Sequence, residues 1–310
     1  MRRRMQDDIQ LKTPEQIARM RAAGLVVAAA LDAATQAVKP GVSTADLDAI
    51  AEQVIRDAGA VPSFLGYHGY PASTCTSVNE EVVHAIPSPH RILAEGDVIT
   101  IDCGAVLDGW HGDAAVTVPV GEVDPEVRRM AWVAEEAMWA GIAAAARGVR
   151  SGRGRLSDIS HAMESTVDRL GRGRLGRRRY GIVTGYGGHG IGTEMHQDPH
   201  LPNHGRPGRG PRLVPGMVLA IEPMLTLGRP DTTELSDGWT VVTVDGSVAV
   251  HVEHTFALTE DGAWVLTAED GGRHRLGELA SAAARAGADA VRPGPGWRGR
   301  RTWHGLRAAD

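Results

Sequence analysis

Gly96-Asp97-Val98-Ile99-Thr100-Ile101-Asp102 and Gly216-Met217-Val218-Leu219-Ala220-Ile221-Glu222 decide how this chain is read. They lie 120 residues apart and share one pattern: Gly, a gap, Val, an apolar residue, a gap, Ile, then a carboxylate. A second pair follows 140 residues apart, His111-Gly112-Asp113 and His251-Val252-Glu253, and Val116 and Val118 then match Phe256 and Leu258. Repetition in order indicates an internal duplication. The 20 extra residues of the second copy predict a longer hairpin around 226–248. The first pair of matches ends in a carboxylate at a strand position where an apolar residue is the default.

Working outward, the chain alternates helices and strands. Thr13 can cap a helix over 14–38, with Pro14 in its first turn and Glu15 near the positive end of its dipole. Pro40-Gly41 stops it, and Ser43 or Thr44 opens a second helix ending near Gly59. Residues 61–110 read as strands and turns. Asp124-Pro125-Glu126 then opens a long helix through about Ala146, and Leu156 to Leu170 reads as another, with Ser157 as its cap. Strand patterns follow near 182–186, 217–223, 239–244, 248–259 and 263–267. Each half, about 13–120 and 121–270, thus reads helix, helix, strands: an α+β domain over 13–270 after a short N-terminal segment, 1–12.

Composition excludes several classes. Forty-two per cent hydrophobic and 23% charged residues in 310 is a globular balance. There is no run of roughly 18 apolar residues, so no spanning helix and no membrane role are expected. Basic Met1–Met5 is followed by Gln6-Asp7-Asp8, where a signal peptide needs apolar residues. Cys75 and Cys103 are the only cysteines, which excludes a disulfide framework and suits a cytoplasmic setting. Residues 271–310 carry eight Arg against three acids, so the formal total of −5 leaves −10 on residues 1–270. An acidic body with 11 of the 13 histidines suits metal better than nucleic acid.

An acid inside an apolar strand is costly unless it is paired, hydrogen-bonded or bound to metal. Asp102 and Glu222 end apolar runs, and Asp113 and Glu253 precede strand-like stretches. Related by a repeat, the four would converge on a pseudo-two-fold axis. They could not all stay ionised in a small volume without cations, and two divalent metals would neutralise them. His189 sits in the Gly-rich turn Gly185-Tyr186-Gly187-Gly188-His189-Gly190-Ile191-Gly192, His196 follows seven residues on, and His84 ends the run Val82-Val83. No Lys or Ser/Thr pair follows the glycines, which disfavours a phosphate loop. His90, His161, His200, His204, His274 and His304 read as packed or surface residues.

Five ordered motifs carry a family resemblance. Leu65-Gly66-Tyr67-His68-Gly69-Tyr70-Pro71, Asn79-Glu80-Glu81-Val82-Val83-His84-Ala85-Ile86-Pro87, Gly188-His189-Gly190-Ile191-Gly192, Ile221-Glu222-Pro223-Met224 and Val252-Glu253-His254-Thr255 resemble those of the type I methionine aminopeptidases, over about residues 13–268. The resemblance implies the pita-bread fold, two related halves of paired helices on curved, mainly antiparallel sheets around a dimetal centre. It implies Asp102, Asp113, His189, Glu222 and Glu253 as ligands of two divalent ions, with Asp113 and Glu253 bridging. His84 and His196 resemble the histidines that contact substrate, and Glu222 resembles the general base. Tyr67, Tyr70, Cys75 and Trp239 resemble the walls of the methionine pocket. Met195 stands where Phe is usual and Phe64 where Cys is frequent; both keep the pocket apolar.

The implied activity is removal of N-terminal methionine from nascent proteins and peptides whose second residue is small, by dimetal-activated water attack on the first peptide bond. One His and four carboxylates suit Mn, Fe or Co, with Zn possible. Proline-specific peptidases share the fold and all five ligands, usually behind a large extra N-terminal domain. A binding module that had lost its metal would not keep the complete ligand set. A monomer is expected. The Arg-rich stretch 169–179 reads as a solvated loop. The Arg/Gly/Ala-rich segment 271–310 reads as a mobile tail with one short helix between Leu276 and Ala290. Its charge, with Trp297 and Trp303, would permit a weak ribosome contact.

Overall fold

The computed structural model describes residues 9–172 and 180–286. The first half opens with helices α1 (Pro14–Ala37) and α2 (Thr44–Asp57). Both begin with a reciprocal cap. Thr13 Oγ1 accepts from the Gln16 N–H at 3.3 Å while Gln16 Oε1 accepts from the Thr13 N–H at 2.9 Å, and Ser43 and Asp46 do the same for α2. Beneath them lie β1 (Val61–Pro62), β2 (Thr74–Val78), β4 (Val98–Leu107) and β5 (Trp110–Pro119) in one antiparallel sheet, with β4 between β1 and β2 and also paired to β5. Val27, Leu31, Leu47 and Ile55 of the helices bury against Val78, Ile99 and Ile101 of the sheet. The short strand β3 (Glu81–Val83) leaves this sheet for another.

The second half repeats the plan. Helix α3 (Pro125–Ser151) is capped by Asp124, whose Oδ1 accepts from the Glu126 N–H at 2.7 Å. It runs past the expected end near Ala146, because Gly148 remains helical and the chain turns only at Gly152, at φ +62°. Helix α4 (Leu156–Leu170) starts after Arg155, not Ser157: Asp158 Oδ2 accepts from the Arg155 N–H at 2.8 Å, and Ser157 Oγ instead serves the backbone of Arg209.

The strands of this half are β6 (Gly181–Ile182), β7 (Gly187–Gly190), β8 (Gln197–Pro202), β9 (Val218–Ile221), β10 (Met224–Thr226), β11 (Thr232–Glu234), β12 (Val241–Thr243), β13 (Ala249–His251), β14 (His254–Thr259) and β15 (Gly262–Val265). They form an antiparallel sheet in the order β15-β14-β9-β7-β8 and a shorter one in the order β13-β10-β6. The hairpin β11–β12 fills the insertion expected around 226–248, and β12 pairs with β3 of the first half.

Three features join the halves. Ala115 of β5 exchanges both backbone hydrogen bonds with Glu253, at 3.3 and 2.9 Å. Thr255 Oγ1 accepts from the Asp113 N–H at 3.2 Å and donates to the Asp113 carbonyl at 2.7 Å. The buried Arg21 guanidinium of α1 donates to the carbonyls of Val265, Leu266, Ala268 and Glu269. Close backbone approach makes the joint at Arg21 possible: a Cβ on Gly24 would stand 2.4 Å from the Leu266 carbonyl oxygen.

The segment expected to be a tail divides. Residues 271–286 pack on the body through helices α5 (Arg273–Leu276) and α6 (Ala282–Arg285), with Leu276, Ala280 and Ala284 buried in the core of the second half. Arg275 pairs with Glu136 at 2.6 Å and Arg285 with Asp261 at 3.1 Å. A turn at Gly277 breaks the single helix expected over 276–290. Residues 287–310, with Trp297 and Trp303, and most of the Arg-rich stretch (173–179) lie outside the described residues. Among the described residues no helix is long and apolar enough to cross a membrane.

Candidate active site

The repeat delivers its carboxylates to one place. Asp102 lies on β4 opposite Ala115 and Cys75, and Asp113 lies on β5 opposite Gly104. Glu222 directly follows β9, and Glu253 lies between β13 and β14, on the residue that bonds Ala115 across the halves. His189 comes from the glycine strand β7, where it pairs with Ala220 of β9. Gly188 and Gly190 permit this approach: a Cβ on either would stand within 2.3 Å of a neighbouring carbonyl oxygen, that of Ala220 or Asp198.

One ligand-type atom from each of Asp113, His189 and Glu253 falls within 4.8 Å of the others. His189 Nε2 is 4.0 Å from Asp113 Oδ2 and 3.7 Å from Glu222 Oε1. Its Nδ1 lies 3.0 Å from the Gly190 carbonyl, which takes the proton there and leaves the Nε2 lone pair facing the acids. Burial drives all four carboxyl groups toward the neutral form. It lifts Asp102 to about 7 and, with help from Asp102, Glu222 to about 8. Asp113 and Glu253 go well above the ordinary carboxylate range, first by burial and then by the neighbouring acids. His189 is pushed down to about 3 by burial, with His196 adding.

Asp102 Oδ1, Asp113 Oδ1 and Glu253 Oε1 are buried and have no hydrogen-bond partner among the described residues. Orphaned acid oxygens beside a neutral imidazole fit divalent cations: a cation would satisfy the oxygens and restore the carboxylate form. The donor set is oxygen-rich with one nitrogen.

The acids line a cavity of about 750 Å³. Every residue anticipated for the site lines it: Asp102, Asp113, His189, Glu222 and Glu253, together with Phe64, Tyr67, Tyr70, Cys75, His84, Met195, His196 and Trp239. Phe64, Tyr70, Cys75 and Met195 form a buried apolar cluster with Ala72, against which Tyr67 and Trp239 pack. The Tyr70 and Trp239 rings meet edge to face at 5.0 Å. Tyr70 Oη lies 3.0 Å from the Thr74 carbonyl and 3.1 Å from that of Ala85, so its polar end is satisfied away from the wall. His196 stacks edge-on against His189 at 4.3 Å. His84 sits in the left-handed region at φ +62°, and burial pushes its ring down to about 4.

Some lining residues were not singled out from sequence. His68 and Tyr186 stand inside motifs quoted for their neighbours, and His200, read as an ordinary histidine, also lines the cavity. His251 lies behind the acids, with Nε2 3.6 Å from Glu222 Oε2; the repeat contained it, but no role attached to it.

The profile of metallopeptidase family M24 matches residues 18–260. The chain belongs to metallopeptidase family M24. This M24 chain is 58% identical over 248 residues to "Methionine aminopeptidase 1" of Mycobacterium tuberculosis, covering 80% of this chain and 91% of the relative. The crystal structure of methionine aminopeptidase from Thermotoga maritima superposes with a TM-score of 0.78 at 41% identity, covering 84% of this chain and all of that one. Prolidase from Pyrococcus furiosus shares the fold, with a TM-score of 0.64 at 22% identity, and the match covers 65% of its length. Membership in a metallopeptidase family agrees with the fit of the acid cluster to divalent ions, and the fold is the pita-bread fold that the motifs implied.

Proposed function

We infer that this chain is a methionine aminopeptidase of type I, a metal-dependent hydrolase that removes the N-terminal methionine of proteins and peptides. One observation carries the reading: a buried acid and histidine cluster shares one cavity with an apolar wall of Phe64, Tyr70, Cys75, Met195 and Trp239. A flexible, polarizable thioether packs well on such an aromatic and sulfur-containing wall. With the acids beside it holding metal, that end of the cavity would receive the substrate's free α-amino group, which confines the cut to the first peptide bond.

Asp102, Asp113, His189, Glu222 and Glu253 would hold two divalent ions, of Mn, Fe, Co or Zn type. When bound, such ions supply Lewis acidity and lower the pKa of water toward neutrality. The remaining work falls to the side chains. Glu222 takes a proton from the attacking water and later returns it to the leaving amine. We assign the Tyr67 hydroxyl, 2.8 Å from His196 Nδ1, as the donor of that bond, which gives His196 an Nε2–H for the developing oxyanion. His84, which lines the same cavity from the first half of the repeat, would also contact the substrate. The preference for a small second residue and a cytoplasmic site of action follow from the family resemblance and the cysteine usage.

The test is a side-by-side assay of metal-reconstituted protein on Met-Ala-Ser and on Xaa-Pro peptides. Release of methionine from the first, with the second left intact, supports the reading. Cleavage of Xaa-Pro peptides alone replaces it with a proline-specific peptidase.

A further inference from the structure

His251 ends strand β13 with 1% of its surface exposed, and it is not among the residues lining the cavity. Its backbone is locked. The N–H donates to Thr117 Oγ1 at 3.1 Å, and Thr117 Oγ1 donates to the His251 carbonyl at 2.6 Å. Thr117 has only that one proton, so Thr100 Oγ1, 2.8 Å away, must donate to it. Three buried hydroxyl bonds therefore fix where this side chain leaves the sheet.

The ring is not satisfied in the same way. Neither Nδ1 nor Nε2 has a hydrogen-bond partner among the described residues. Leaving such a group unpaired in the interior is costly. Nε2 lies 3.6 Å from Glu222 Oε2, while the other oxygen, Oε1, lies 3.7 Å from His189 Nε2. Glu222 is thus held between two imidazoles. The repeat sharpens the contrast: its counterpart His111 has Nδ1 3.0 Å from the Ser63 hydroxyl. The second copy has a carboxylate facing the ring instead.

We propose that His251 is a positioning residue for Glu222: its Nε2–H points at Oε2 and holds that oxygen, leaving Oε1 for the chemistry. The proposal rests on the reading of Glu222 as general base and deepens it. A neutral imidazole carries one proton, on Nε2 or on Nδ1, and neither nitrogen of this ring has another partner among the described residues. Placed on Nε2, that proton faces an acceptor; placed on Nδ1, it would leave two lone pairs facing each other. Closing 3.6 Å to hydrogen-bond length needs only a few tenths of an ångström of side-chain rotation.

The experiment has two arms. In the zinc-loaded protein, ¹⁵N NMR of the His251 ring, assigned by its loss in His251→Gln, reports the tautomer; Nε2–H is expected, and Nδ1–H overturns the proposal. In the second arm His251→Gln, His251→Asn and His251→Leu are compared for kcat, KM and metal content. A Gln side chain brings its amide donor close to the Nε2 position and an Asn close to Nδ1. His251→Gln should stay within about 3-fold of the parent kcat, whereas Asn and Leu should lose about 10-fold or more, the worth of a hydrogen bond to a charged group. KM and metal content should stay within about 2-fold, since neither substrate nor metal binding is what the ring sets. Equal kcat for Gln and Asn overturns the proposal, as does a loss confined to KM or metal content. This comparison stands even if His251→Leu fails to fold. If Glu222→Gln retains turnover, the base reading fails on its own, and the tautomer still reports the contact.

Discussion

Tyr67 Oη lies 2.8 Å from Nδ1 of His196, and the two rings pack at 5.3 Å between centroids. They come from segments 129 residues apart in sequence, one in each half of the duplication. With the Tyr67 hydroxyl assigned as the donor, the bond leaves the ring proton of His196 on Nε2, and burial holds the pKa of that ring below the ordinary value. Tyr67→Phe should therefore lower kcat by about 3–10-fold, the worth of one neutral hydrogen bond. His196→Ala should cost about 100-fold, the scale of a lost oxyanion donor. Metal analysis accompanies both assays, because His196 is placed as a substrate contact. Loss of metal from His196→Ala would make it a ligand instead.

Glu222→Gln should remove turnover by about two orders of magnitude or more, the lower range for a general base. Steady-state assay of the metal-loaded variant checks this. Near-normal turnover with metal retained would take Glu222 out of the base role.

Removing metal should reverse the ordinary effect of mild alkali. Asp102 at about 7, Glu222 at about 8, and Asp113 and Glu253 well above the usual range hold protons in the folded metal-free protein that they have lost in the unfolded chain. Folded-state values raised in this way give stability that is complete below the unfolded pKa and fades as pH rises through the folded one. The buried histidines act in the opposite sense, but below about 6.5. Between about pH 6.5 and 8 the acids therefore decide, and the thermal midpoint of chelator-treated protein should fall as pH rises. Metal-loaded protein should lack this slope, because cations take the place of the protons. A midpoint that climbs with pH in the metal-free protein would contradict the account of the acid cluster.

Arg21 tests the joint between the halves. Its guanidinium, 2% exposed, serves four carbonyls of the segment 265–269, and burial lowers it to about 10. Arg21→Met leaves those carbonyls without their donor and should destabilise the protein by about 3 kcal/mol. Urea unfolding measures this, and an unchanged midpoint would mean that the carbonyls find other partners.

The parts of the fold legible in sequence were those written in local chemistry. Thr13 before Pro14, Ser43 before the second helix and Asp124 before Pro125 announce helix starts because a cap is made by residues three or fewer apart. Asp102 and Glu222 stood out because each ends an apolar run, Asp113 and Glu253 because each precedes a strand-like stretch, and the repeat sets the four in two matched pairs. What escaped depends on distant partners. Ser157 looked like a cap, but its hydroxyl answers Arg209, 52 residues away. Residues 271–286 read as a solvated tail because Leu276, Ala280 and Ala284 are sparse in sequence; they pack because α3 and β15 offer them a face. His251 stood in the repeat with no role attached; only the position of Glu222 gives its ring a meaning.

Metal stripping and return test the central claim most directly. Methionine release from Met-Ala-Ser is followed after treatment with chelator and then as Mn or Co is added back in measured equivalents. The account predicts no activity in the stripped protein, recovery that follows metal bound, and no recovery in an Asp113→Ala variant, whose acid is one of the three gathered within 4.8 Å. Methionine release that persists in fully stripped protein, or that returns equally in Asp113→Ala, would contradict it.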